Sequence, residues 1–278
     1  MFRNPIRLTA GWIAALLASV SAGWAVPDGR PVPWQMGFQP AATPVMQDIE
    51  WFHTILLWVI TIVVLFVLAL LLWVIVRYNR RANPTPSRIS HNTLLEVAWT
   101  VIPVLILVGI AIPSFKLLYF EADIPKADLT IRAIGKQWYW SYQYPQFGDW
   151  QYDSLGLSDV AALKAGEPRL LGVDNPVVVP VNKVVEVETV GADVIHSWAV
   201  PSFGVKMDAV PGRINRTWFK ALREGTFYGE CSELCGARHA FMPIEVKVVS
   251  QEAFDTWLAA AKKKYAAADA TRVAALTR

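Results

Sequence analysis

The chain has 278 residues, of which 54% are hydrophobic and only 18% charged. That composition excludes an intrinsically disordered chain, which would be polar and charge-rich. The formal charge of +3 hides a split: residues 1–127 hold 9 basic and 6 acidic side chains, residues 128–250 hold 12 and 14, and residues 251–278 hold 5 and 3. The basic total is therefore no sign of a nucleic-acid partner, and the mildly acidic central region suits a basic protein instead.

The apolar excess lies almost wholly before Phe120. Arg3, Arg7, the short apolar run Ile13–Val20 and the small residues up to Ala25 read as an export signal over residues 1–25, cleaved after Ala22 or Ala25. Residues 26–53 follow as an arm, expected to be extended because Arg30–Pro44 is rich in Pro and Gly. Thr54–Val76 is 23 residues without a charge. At about 1.5 Å per residue this crosses a hydrocarbon core of about 30 Å. Val97–Phe115 is a second apolar run, continuing to Phe120, and a membrane helix tolerates its Pro103 and Pro113.

The expected unit is a two-helix transmembrane hairpin over residues 54–120. Its loop carries Arg77, Arg80, Arg81 and Arg88, with no acid before Glu96. That bias places the loop in the cytoplasm and both flanks outside. Glu96, at the cytoplasmic mouth of the second helix, is either a solvated edge acid or a proton-entry group.

After Lys126 the pattern changes to period 2. Strands are expected over Leu129–Ile134, Gln137–Tyr144, Val177–Val179, Val184–Thr189, Ile195–Val200, Thr217–Phe219, Thr226–Glu230 and Ile244–Val249. Pro, Gly and Asn punctuate them, which argues an all-β domain, an antiparallel sandwich or Greek-key barrel, over residues 127–250. Residues 155–173 read as irregular or partly helical. In residues 251–278, Phe254, Trp257, Leu258 and Ala261 recur at helical spacing, so a C-terminal helix packs on the sandwich before an Ala-rich tail.

The chemistry is concentrated in Cys231-x3-Cys235-x3-His239-x2-Met242, with His196 upstream. Two thiolates, two imidazoles and a thioether are a soft donor set that suits copper; zinc would not normally take Met. A blue-copper site needs one Cys, two His and a weak Met, so one Cys is surplus here. Two sulfurs could instead bridge two ions, with His and Met capping one and the other His the second. A Cys231–Cys235 disulfide is the simpler alternative in an exported domain. Trp138, Trp140 and Tyr142 alternate, placing them on one strand face as core packing or as a surface contact for a redox partner.

With these motifs the chain resembles the subunit II family of haem-copper cytochrome c oxidases. The resemblance runs through the hairpin, Gln137-Trp-Tyr-Trp, His196-Ser-Trp-Ala-Val-Pro, Pro211-Gly-Arg and the cysteine loop. It implies a cupredoxin-like sandwich holding a dinuclear copper centre, called CuA. Cys231 and Cys235 would be bridging thiolates. His196 and Met242 would complete one copper, His239 and the backbone carbonyl of Glu233 the other. The Glu233 carboxylate would reach a Mg²⁺ shared with subunit I. Trp138 would be the electron-entry residue and Glu96 would lie near the mouth of a proton channel. Asp149, Asp174, Asp193 and Glu233 would form an acidic docking surface, while Gln143 stands where some relatives carry an acid.

The implied activity is that of a redox subunit. It would take single electrons from cytochrome c and pass them to haem in subunit I, where O2 is reduced to water with proton pumping. No bond-making site is expected on this chain itself. Its partners would be subunit I, other oxidase subunits and cytochrome c. Its place would be the bacterial inner membrane, with the CuA domain and N-terminus periplasmic. A copper-free quinol-oxidase subunit II would lack the ligand set. A membrane-anchored copper-delivery protein would need an exchangeable site and has no use for Glu96 or an acidic patch.

Overall fold

The computed structural model describes residues 29–148 and 150–276, with side chains as far as Tyr265. The expected export signal, residues 1–25, lies outside the described residues.

Helix α1 (Pro44–Arg77) begins well before the apolar run at Thr54. The Thr43 hydroxyl accepts the Met46 amide and Pro44 takes the first helical position. Both features favour a helix N-terminus. The irregular arm therefore stops at Thr43, and residues 44–53, expected to be extended, are helical. Hydropathy marks how long a helix is apolar, not where its hydrogen bonds start. At 34 residues, α1 is longer than a hydrocarbon core of about 30 Å requires. Its first turn docks on the sandwich that follows the hairpin: Val45 and Met46 are buried, and Thr43 Oγ1 donates to the Phe203 carbonyl at 2.7 Å.

Helix α2 (Thr93–Ala122) runs unbroken through Pro103 and Pro113. Along both helices large apolar side chains such as Leu65, Phe66, Trp73, Leu105 and Leu107 are exposed among the described residues. In water such a surface would aggregate; against lipid it is the expected contact. The chain thus carries two membrane-spanning helices.

Among the described residues ten strands form the second domain: β1 (Leu129–Lys136), β2 (Tyr139–Gln143), β3 (Gln151–Ser154), β4 (Val177–Pro180), β5 (Val184–Gly191), β6 (His196–Val200), β7 (Val205–Ala209), β8 (Asn215–Lys220), β9 (Gly225–Cys231) and β10 (Pro243–Val249). One sheet has the order β3-β2-β1-β5-β8, the other β4-β10-β9-β6-β7.

The sandwich is mixed rather than purely antiparallel. β1 runs parallel to β5, and β4 parallel to β10. After β3 the chain passes through the short helix α3 (Asp159–Ala165) and β4 in the other sheet, then returns to the free side of β1. That detour reverses the direction a hairpin would impose. Strands β3 and β7 are additions to the sequence reading. Their sequences, Gln-Tyr-Asp-Ser and Val-Lys-Met-Asp-Ala, are poor in β-branched residues and are held by pairing with β2 and β6.

The core lies between the sheets. β1 buries Leu129, Ile131 and Ala133 in strict alternation. They belong to one cluster with Val179, Phe227, Ile244 and Val246 from the opposite sheet. Trp198 Nε1–H donates to the Tyr142 hydroxyl at 3.3 Å and ties the sheets together. Helix α4 (Gln251–Leu276) buries Phe254 and Ala261 and lays Trp257 and Leu258 on the same core, as its spacing requires.

Candidate metal centre

Cys231 is the last residue of β9, and Cys235, His239 and Met242 follow on the loop to β10. His196 opens β6 rather than lying in a loop, and β6 pairs with β9 so that Trp198 faces Cys231. This pairing brings His196 Nδ1 within 3.9 Å of Cys231 Sγ. Cys231 Sγ is also 3.9 Å from Cys235 Sγ and 3.4 Å from the Glu233 carbonyl oxygen. Cys235 Sγ lies 3.6 Å from His239 Nδ1 and 3.4 Å from Met242 Sδ. The donor atoms of His196, Cys231 and Cys235 all fall within 4.8 Å of one another.

The two cysteines are free thiols rather than a disulfide. Metal–thiolate bonds are about 2.3 Å. Sulfurs 3.9 Å apart can therefore both reach one ion, from either side of the line between them. With imidazole and thioether donors around them, the residues fit a copper site.

Electrostatics favour a cation. Burial raises the Cys231 thiol, but hydrogen bonding from His196 and from the backbone of Glu233 and Ser197 outweighs it and brings it down to about 7. Burial, then the charge of Cys231, pushes Cys235 up to about 12. One thiol ionises readily and its charge opposes the second, so a full dithiolate calls for positive charge between the sulfurs. His196 is wholly buried, and its Nε2 lies 2.8 Å from Asp193 Oδ1. With Nε2–H donating to that carboxylate, the Nδ1 lone pair faces the sulfurs. Burial raises Asp193, but bonds from His196 and from the Gln137 and Val194 amides hold it below the usual carboxylate range.

The aromatic stripe divides. Trp140 and Tyr142 lie on β2 and are buried in the core. Trp138 precedes β2 instead of sharing its face. It is half-buried against the cysteine loop, with Nε1–H donating to the Cys235 carbonyl at 3.3 Å. Three further residues shape the centre. Gln137 donates its side-chain amide to the same carbonyl at 2.9 Å, and its backbone N–H to Asp193 Oδ2 at 2.7 Å. A Cβ on Gly135 would lie 2.7 Å from the His196 ring. Gly236 has φ +122°, and a Cβ there would press to 3.1 Å from the Trp138 indole. In the sequence, Gly135 reads only as a turn residue and Gln137 as part of a strand.

The remaining candidates are dispersed. Glu96 is exposed in the first turn of α2, at the end away from the sandwich, where the helix dipole favours an acid. The Glu233 side chain is exposed on the cysteine loop. Asp174 accepts the Leu155 amide at 2.8 Å and borders a cavity against α4 with Lys264, not the cysteine loop. Asp149 lies outside the described residues.

Comparison with known proteins agrees with this architecture. The profile described as cytochrome c oxidase subunit II, periplasmic domain, matches residues 129–249. The profile described as its transmembrane domain matches residues 31–117. A probable cytochrome c oxidase subunit 2 of Rickettsia bellii is 51% identical over 246 residues, covering 88% of this chain and 91% of the relative. The cytochrome c oxidase subunit 2 of Cereibacter sphaeroides is 44% identical over 270 residues, covering 91% and 89%. Among solved structures, the periplasmic domain of subunit II of cytochrome oxidase from Bradyrhizobium japonicum is 59% identical. It covers 51% of this chain and 99% of that one, with a TM-score of 0.48. Two profiles spanning both the hairpin and the sandwich, with relatives matched over nearly their full length, place the chain in the cytochrome c oxidase subunit II family, a subunit of an oxidoreductase.

Proposed function

We propose that this chain holds a dinuclear CuA centre and is the electron-entry subunit of its oxidase. The observation that carries the reading is the convergence of two thiols, two imidazoles and a thioether around a 3.9 Å sulfur pair. Cys231 and Cys235 would hold both ions, with His196 and Met242 for one and His239 and the Glu233 carbonyl for the other. When bound, the copper pair supplies a one-electron relay between cytochrome c and the haem of subunit I, where O2 is reduced to water.

The chain's own residues prepare that chemistry. Asp193 orients His196 through Nε2, and burial of His196, Cys231, Cys235 and Met242 keeps water from the donors. A cage of buried donors fixed by strand pairing resists geometry change between oxidation states. Trp138 spans from the surface to the Cys235 carbonyl and is the contact for the donor protein. Glu233 turns its carbonyl inward and leaves its carboxylate free for a Mg²⁺ at the contact with subunit I. Asp149, Asp174, Asp193 and Glu233 attract a basic cytochrome c. Glu96 admits protons at the far mouth of α2. The arginine-rich loop faces the cytoplasm, and the sandwich and N-terminus face the periplasm of a bacterial inner membrane, after removal of an export signal.

The full chain, purified in detergent and loaded with copper, tests this. Two ions per chain with a seven-line hyperfine pattern in the EPR spectrum are expected, the signature of one unpaired electron shared by two coppers. A folded chain holding one ion with a four-line pattern would overturn the reading in favour of a mononuclear or copper-transfer site.

A further inference from the structure

A second cavity, of about 350 Å³, lies where α2 leaves the membrane and meets the edge of the sandwich. It is independent of the metal centre and rests only on α1 and α2 crossing a membrane. Leu118 and Glu121 line it from α2, Gly204 from the turn before β7 and Lys206 from β7 itself, and Arg216 and Trp218 from β8. Its volume is within the range of small-ligand sites, about 300–1,000 Å³. Phe120, the last residue of the apolar run, meets Trp218 edge to face at 5.5 Å. The cavity therefore sits at the level where hydrocarbon gives way to headgroups, the depth at which tryptophan is enriched.

Its chemistry is not that of a simple core defect. Trp218 is only 5% exposed, and its indole N–H is buried with no acceptor among the described residues. A buried donor left unpaired is unfavourable. The Glu121 carboxylate has no ion-pair partner among the described residues. Lys206 Nζ stands 3.6 Å from Asp208, and Arg216 stands 3.6 Å from Glu186 and 3.2 Å from Glu188. An ammonium has three donors and a guanidinium five, so both bases keep donors for a further acceptor. Four acids stand beside these two bases, and one of them, Glu188, is also held by Arg132 at 2.8 Å, so the site carries no excess of positive charge. That favours a zwitterion over an anion.

We propose that this cavity seats the headgroup of a zwitterionic phospholipid, phosphatidylethanolamine being the representative. Lys206 and Arg216 take the phosphate. Glu121 takes the ammonium, and the acyl chains descend beside Leu118.

Native mass spectrometry of the full chain in detergent tests this, titrating phosphatidylethanolamine, phosphatidylglycerol and free phosphoethanolamine. One tightly held phosphatidylethanolamine per chain is expected, with phosphatidylglycerol held several-fold more weakly. Glu121→Gln and Lys206→Gln should each weaken retention about tenfold, the loss of one charge-assisted bond. Both sites are at the cavity rim, and circular dichroism confirms folding of each variant. Equal retention of both lipids, or retention unchanged in both variants, overturns the proposal. Free phosphoethanolamine binding as tightly as the lipid also overturns it, since the site would then be a phosphate site open to water.

Discussion

Gly135 on β1 and His196 on β6 approach so closely that one added methyl group would lie 2.7 Å from the imidazole. The sheets are thus pressed together at the metal centre by a residue with no side chain. Gly135→Ala should displace His196, destabilising the domain by about 1–3 kcal/mol. Copper affinity should fall by about 10–100-fold, as when a ligand loses its orientation. A copper competition titration beside a thermal melt checks both. Unchanged affinity would mean that the ring moves without leaving its donor position.

Asp193 is both a docking candidate and the acceptor for His196 Nε2 and the Gln137 amide. Asp193→Ala removes the acceptor of three donors, His196 Nε2–H and the Gln137 and Val194 amides, an expected loss of about 1–3 kcal/mol, and should weaken copper binding. A residue used for docking alone would alter the salt dependence of cytochrome c oxidation and leave copper affinity intact.

Trp138→Phe removes the indole N–H but not the second bond to the Cys235 carbonyl, which Gln137 still makes. The stability change should stay within about 1.5 kcal/mol. Reduction by cytochrome c should slow well beyond that small change. Stopped-flow rates equal to those of the parent would remove Trp138 from the entry path.

Glu245 gives a pH prediction outside the metal centre. It is 1% exposed, accepts the Val173 amide at 2.9 Å and has Lys247 Nζ 3.3 Å away. Burial, aided by Glu167, raises its carboxyl above the usual value against the pull of Val173 and Lys247. A raised folded value means that its stabilising effect is complete at pH below the unfolded carboxyl value. That effect is lost as pH rises through the folded value. Glu245→Gln should therefore be more stable than the parent at pH 7, with the gap closing as pH falls toward 4. A variant less stable at both pH values would show that the Lys247 ion pair outweighs burial.

Much of this was legible locally. Period-2 alternation marked β1 and β5, because each strand carries its burial pattern in its own residues. The spacing of Phe254, Trp257 and Ala261 marked α4 in the same way. The cysteine loop was legible because Cys231 to Met242 spans a single connection. The start of α1 is written in Thr43-Pro44, which lies outside the apolar run and so leaves no mark in hydropathy. Strands β3 and β7 were not readable, since what holds them is a neighbour and not their own composition.

The sequence by itself determined the kinds of donor, the apolar length of the two spans and the alternation of the sandwich. These depend on residues close together in the chain. Only the tertiary structure decided that β6 lies beside β9, bringing His196 to Cys231, and that β1 crosses behind them with a glycine at the point of contact. It alone took Trp138 off the strand face and onto the Cys235 carbonyl. Such contacts join residues far apart in sequence, and their distances follow from sheet order and packing, which no local pattern encodes.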